Sequence, residues 1–128
     1  MSKLIIDAAK DNIFFMIINN HINYNITHEN TKINYEKMMI LINEFLNSKN
    51  MKMDNISKLY VNRGPGSFAG IRNSLSIIKA MHLAKKIDYY CFSFDDFMGV
   101  EKIKYENIPS LCDKFNVKKN LINPIYIS

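Results

Sequence analysis

The sequence has no tryptophan and only 4 glycines, 3 prolines and 2 cysteines in 128 residues. Of its 17 basic residues only two are arginine, Arg63 and Arg72. Each scarcity excludes something. So little Gly and Pro leaves no low-complexity linker, and no internal repeat is visible. Two cysteines, Cys91 and Cys112, make no disulfide framework, and no Cys/His spacing suits zinc. No apolar run approaches the length of a membrane span, because Asn, Lys or His cuts each candidate. The opening MSKLIIDAAK carries Asp7 where a secretory leader would be apolar, so a reducing cytoplasm is the expected compartment.

What is there suits one folded domain. The hydrophobic share is 48% and the charged share 23%, enough for a real core and too apolar for wholesale disorder. The net charge of +5 and isoelectric point near 9.2 fit an acidic partner or simply a solvated basic surface. The chain leans on Ile, Asn and Lys, a coding bias that weakens arguments from composition.

Residues 3–9 (KLIIDAA) and 12–20 (NIFFMIINN) predict two strands joined by a tight turn. Residues 21–30 alternate Ile22, Tyr24 and Ile26 with polar residues and predict a third strand with one solvated face. Residues 34–50 change to helical period, with Asn34 as expected N-cap. Met38, Leu41, Ile42 and Phe45 form one apolar stripe; Met39, Ile42 and Leu46 form a second, wider than burial on one sheet requires. That is a helix sunk in its own core or one with a partner. Residues 56–62 predict a strand, 67–86 a helix capped by Ser67, and 88–94 a strand. Ser93 to Asp96 reads as a capping box opening a further helix. Pro109 starts a short helix, and NPIYIS suits a last strand. The order predicts an α/β fold: a strand meander, then β-α-β-α-β, making a mixed five-stranded sheet.

Three of the four glycines (Gly64, Gly66, Gly70) fall within VNRGPGSFAGIRNS, bracketed by the two arginines. A glycine loop between a strand and a helix N-terminus is a place where backbone N–H groups meet anions, and arginines fork onto phosphate or carboxylate. The spacing fits neither the P-loop nor the dinucleotide fingerprint. The loop, Arg63, Gly64, Pro65, Gly66, Ser67, Phe68, Gly70 and Arg72, is thus either a small nucleotide or phosphate site or a tight turn. In the tight turn the arginines tie the loop to carbonyls or a carboxylate.

Read whole, GPGSFAGIR resembles the GPGSFTGLR signature of the TsaB (YeaZ) family, non-catalytic subunits of the bacterial machinery that makes threonylcarbamoyladenosine in tRNA. LIIDAA, NYEKMMILINEFL, CFSFDDF and NPIYIS resemble other segments of that family, covering residues 3–97 and the last few. The resemblance implies an actin-like, ribonuclease-H-like (ASKHA) lobe over residues 1–97, with 98–128 a remnant of a second lobe reduced by internal loss. It implies a scaffold or activating subunit without a catalytic set of its own. Such a subunit heterodimerises with a catalytic TsaD-type subunit, engages a TsaE-type ATPase, and reaches tRNA through the complex. The transfer places threonylcarbamoyl on the adenosine beside the anticodon in tRNAs reading codons that begin with A. ATP and Mg act at the level of the complex, with no cofactor assigned to this chain. The implied interface comprises Tyr35, Met38, Met39, Ile42, Phe45, Leu46, Arg72, Leu75, Ser76 and Lys79. Family members also self-associate through the same helices, so a homodimer is possible in isolation. Asp7-Ala8-Ala9, Ala69 and Asn34-Tyr35 depart from the family's usual hydroxyls and His-Ser.

The remaining chemistry-bearing residues read as structural. His21, His28 and His82 are scattered, without H-E-x-x-H or the H-x-x-x-H metal motif of the catalytic paralogue. Asp95 and Asp96 suit a helix start. Asp7 is the only carboxylate where related folds coordinate metal, and it lacks neighbouring hydroxyls. Ser67 misses the G-x-S-x-G of a nucleophile elbow, so the peptidase label attached to the wider family finds no support.

Overall fold

The computed structural model describes residues 1–126. Five strands form one sheet: β1 Ser2–Asp7, β2 Asn12–Asn19, β3 Ile22–Glu29, β4 Ile56–Asn62 and β5 Asp88–Phe92. Their order is β3-β2-β1-β4-β5. The first three are antiparallel neighbours, while β4 runs parallel to β1 and β5 parallel to β4. This is the mixed sheet that the change of hydrophobic period predicts. Short polar connections close the hairpins, and Asn20 takes the left-handed conformation (φ 58°) that its turn needs.

Because strand side chains alternate between faces, the sheet carries two cores. Leu4, Ile6, Phe15, Ile17, Leu59, Val61 and Cys91 face one way. Over them lie α1 Lys32–Glu36, α2 Met38–Ser48 and α3 Phe68–Lys85. Ile5, Met16, Tyr60 and Phe92 face the other way, beneath Phe97, Ile108 and Cys112. The latter two belong to α4, Ile108–Lys114, which Pro109 helps to start. Packing continues across residue 97. The segment after it covers the second face of the same sheet.

Four expectations about single elements need correction. The first helix starts at Lys32, not Asn34: Thr31 is the N-cap, accepting from the Asn34 amide at 3.1 Å. Asn34 instead donates its side-chain amide to the Glu29 carbonyl at 2.9 Å. Either residue type caps well, and the strand's end decided between them. The helix is also interrupted at Lys37 (φ −102°, ψ 23°), with no Gly or Pro to announce it. The Ser93–Asp96 box forms as expected, with the Ser93 amide donating to Asp96 at 2.7 Å, but it opens only one 3-10 turn, Phe94–Asp96. NPIYIS makes an isolated bridge, Tyr126 beside Gly66, rather than a strand; residues 127 and 128 lie outside the described residues.

Candidate functional site

The glycine loop leaves β4 at Asn62 and enters α3 at Phe68. Its glycines are explained by backbone crowding. A Cβ on Gly70 would stand 1.7 Å from the Ala8 carbonyl oxygen, and one on Gly66 2.0 Å from that of Ala9. Gly64 has φ 111° and would place a Cβ 2.0 Å from the Ile125 oxygen. The loop is thus pressed between the end of β1 and the C-terminal segment, where only glycine fits. Ser67 caps α3, as expected, accepting from the Gly70 amide at 3.3 Å.

The loop's N–H groups are largely spent inside the chain. Arg63 donates its amide to Phe92 at 2.7 Å, and Ser67 donates to Ala9 at 2.9 Å. Gly64 donates to the Asn62 side chain at 2.9 Å. The Arg63 guanidinium donates to Asp96 at 2.8 Å and to the Asn123 carbonyl at 3.1 Å. Arg63 ties the loop to a carboxylate and a carbonyl, which is the tight-turn reading. Arg72 behaves differently: it is exposed and lies over the Phe68 ring. Phe68 is itself exposed and packs on Tyr126, ring centroids 4.8 Å apart.

Behind Arg63 lies a cavity of about 320 Å³ lined by Cys91, Asp96, Phe115 and Val117, among others. Burial pushes the Cys91 thiol up to about 12, against a smaller opposite pull from Arg63, so it is not a ready nucleophile. Asp7 is buried at the end of β1, accepting from the Ala9 amide at 3.2 Å and from the Tyr105 hydroxyl at 2.5 Å. Burial first, then the Asp7 charge, holds the Tyr105 phenol well above its ordinary range. Among the described residues no three His, Cys, Asp or Glu side chains gather at metal-binding range, and no helix is long and apolar enough to cross a membrane.

The residues expected at a partner interface divide sharply. Tyr35, Met38, Ile42, Phe45, Leu46 and Leu75 are buried in the helix-side core of this chain, so within the single chain they serve its own packing. The second apolar stripe is mostly an artefact of reading one helix alone: α2 packs on the sheet and beside α3, and both neighbours claim apolar flanks. At this crossing the Tyr35 hydroxyl lies 3.4 Å from Ser67 Oγ, and Ser74 lies against Met38. Arg72, Ser76 and Lys79 are exposed on α3, and Met39 is half-buried on α2. Sequence reasoning missed Ile33, Ile40 and Leu83, which stand out from the helices with 57% or more of their surface exposed. Their signal is an apolar residue facing away from its helix's buried stripe.

The sheet order, the paired helices and the glycine turn form an actin-like α/β lobe. YeaZ from Pseudomonas aeruginosa superposes with a TM-score of 0.66 at 13% identity, over 72% of this chain and 43% of that one. A structure described as an uncharacterized protein with similarity to peptidase YEAZ, from Pseudomonas aeruginosa, matches with the same values. The chain thus spans under half the length of these structures. No curated protein matches. The family described as "TsaD: tRNA N6-adenosine threonylcarbamoyltransferase" matches residues 26–93, more than half the chain. The chain belongs to that tRNA-modification family.

Proposed function

We propose that the chain is a scaffold or activating subunit that pairs with a TsaD-type catalytic subunit for threonylcarbamoyl transfer to tRNA. The observation that carries this is where the family match falls. Residues 26–93 contain α1, α2, α3 and the glycine loop whole, and the two helical elements lie side by side with their outer faces uncovered. Those outer faces, with Met39, Arg72, Ser76 and Lys79 joined by Ile40 and Leu83, are the docking surface in this reading. Apolar side chains ringed by polar and cationic ones suit a protein interface. The chemistry is left to the partner, because this sequence holds no H-x-x-x-H. The TsaE-type ATPase, tRNA, ATP and Mg enter at the level of the complex, acting on the adenosine beside the anticodon of tRNAs reading codons that begin with A, in the cytoplasm. Residues 98–128 are a remnant of the second lobe in this reading, and the described part, 98–126, keeps the sheet covered while the helices dock.

The alternative, a small nucleotide or phosphate site at residues 63–72, has the internal use of the Arg63, Gly64, Ser67 and Gly70 N–H groups against it.

Co-expression with TsaD from the same organism, affinity capture and sizing test the proposal. The expected result is a stoichiometric complex, lost or at least tenfold weaker in Met39→Glu and Ser76→Glu with unchanged circular dichroism. Free subunits at tens of micromolar would overturn it.

A further inference from the structure

The two edges of the sheet are treated differently. Along β5 the C-terminal segment runs as a cover: the Asn120 amide donates to the Tyr89 carbonyl at 2.7 Å, and the Tyr89 amide donates to the Asn120 side chain at 3.0 Å. Tyr90 and Lys119 bridge. Along β3 there is no such cover among the described residues. The strand is eight residues long, holds no Lys or Pro, and pairs with β2 residue for residue without a bulge. Long edges without those devices are templates for another strand.

Hairpin geometry fixes which groups are free. With Asn20 and His21 as the loop, Asn19 and Ile22 form the hydrogen-bonded closing pair. The backbones of Ile22, Tyr24, Ile26 and His28 therefore bond to β2, and those of Asn23, Asn25, Thr27 and Glu29 point outward. Among the described residues, the Glu29 carbonyl, which receives the Asn34 side chain, is the one group of this outward set with a partner in the chain.

We infer that β3 is a homotypic pairing edge, joining a second copy of this chain antiparallel about a two-fold axis at Asn25, so that two five-stranded sheets become one. The register follows from the strand. A partner strand must keep Tyr24 and Ile26 on the helix side of the sheet, which requires outward-pointing residues to face one another. Centring on Asn25 gives the longest such overlap. Asn25 meets Asn25, Asn23 meets Thr27, and His21 meets Glu29 at both ends, an acid beside a base. On the helix side Tyr24 meets Ile26, and Ile22, 55% exposed in the single chain, meets His28. The Tyr24–Ile26 and His21–Glu29 pairs are of favourable types, and the closed symmetry stops growth at two. This edge is separate from the helix faces assigned to TsaD, so both unions can coexist.

The test uses the full chain, alone, by sedimentation velocity up to about 100 µM, a range in which small interfaces associate. A concentration-dependent dimer is expected. Asn25→Lys sets two like charges opposite each other at an exposed site and is expected to raise the dissociation constant at least about tenfold with an unchanged melting temperature. Met39→Glu is expected to leave the dimer intact. Under mild oxidation Asn25→Cys is expected to cross-link to itself, because facing hydrogen-bonded residues lie within disulfide reach, whereas Asn23→Cys alone is not. A monomer throughout, a dimer indifferent to Asn25→Lys, or one broken by Met39→Glu instead, would overturn the inference. The TsaD pull-down is unaffected by any of these results.

Discussion

At the scale of residues, the scarce glycines are the sharpest case of position deciding chemistry. Gly70 and Gly99 are alike in the sequence. At Gly70 an added methyl meets the Ala8 carbonyl, whereas at Gly99 (φ 86°) nothing lies within 4 Å. Gly70→Ala is expected to cost about 2–3 kcal/mol by overpacking, since backbone must move. Gly99→Ala is expected to cost about 1 kcal/mol, the strain of the left-handed conformation alone. Urea denaturation of both variants checks the order; equal losses would contradict the close approach. Arg63 was legible as an anchor to a carboxylate or carbonyl. Its partners were not, because Asp96 and Asn123 lie 33 and 60 residues away in the chain. Arg72, nine residues further on, faces solvent instead.

At the scale of elements, the C-terminal strap is held by few links. Arg63 accepts the Ile125 amide on its carbonyl and holds the Asn123 carbonyl and Asp96 with its guanidinium. Arg63→Lys keeps the charge and loses the fork. Hydrogen exchange at Ile125 is expected to speed at least tenfold, with about 1–2 kcal/mol lost in global stability; unchanged exchange would mean the strap is held elsewhere. The five strands and the two long helical segments were legible because each keeps one period over its length. The interruption at Lys37 and the shift of the cap to Thr31 were not, since both arise where α1 meets the end of β3. The second stripe on α2 allows either a deep core or a partner surface; its Ile42 and Leu46 are buried within the chain.

At the scale of the whole molecule, both faces of the sheet are closed, and each buries a free thiol. Burial pushes Cys91 and Cys112 up to about 12 from an ordinary value of 9.0. Above pH 9 the unfolded chain releases these protons and the folded chain keeps them. The stability they lend is therefore full below pH 9 and is lost as pH rises toward 12. Unfolding free energy is expected to fall by about 2–3 kcal/mol between pH 8 and pH 10, the combined effect of two such thiols. Urea midpoints under reducing conditions measure it, and the double variant Cys91→Ala, Cys112→Ala should lessen the slope, leaving the part that the buried Tyr60 and Tyr105 phenols contribute as pH nears 10. A wild-type slope no steeper than the variant's would show that the thiols do not carry it.

The sequence by itself determined what depends on near neighbours: strand and helix periods, the capping serines, the place of the glycine loop and the crossover order that makes a mixed sheet. It also carried the nine-residue stretch that marks the family. Only the tertiary structure decided which apolar residues are core and which are surface, because a helical stripe records that a face is covered and not by what. It likewise decided that residues 98–126 cover the second face of the sheet and close one of its edges. A segment with weak periodicity of its own takes its form from the surface it covers, and that surface is built by residues far away in the chain.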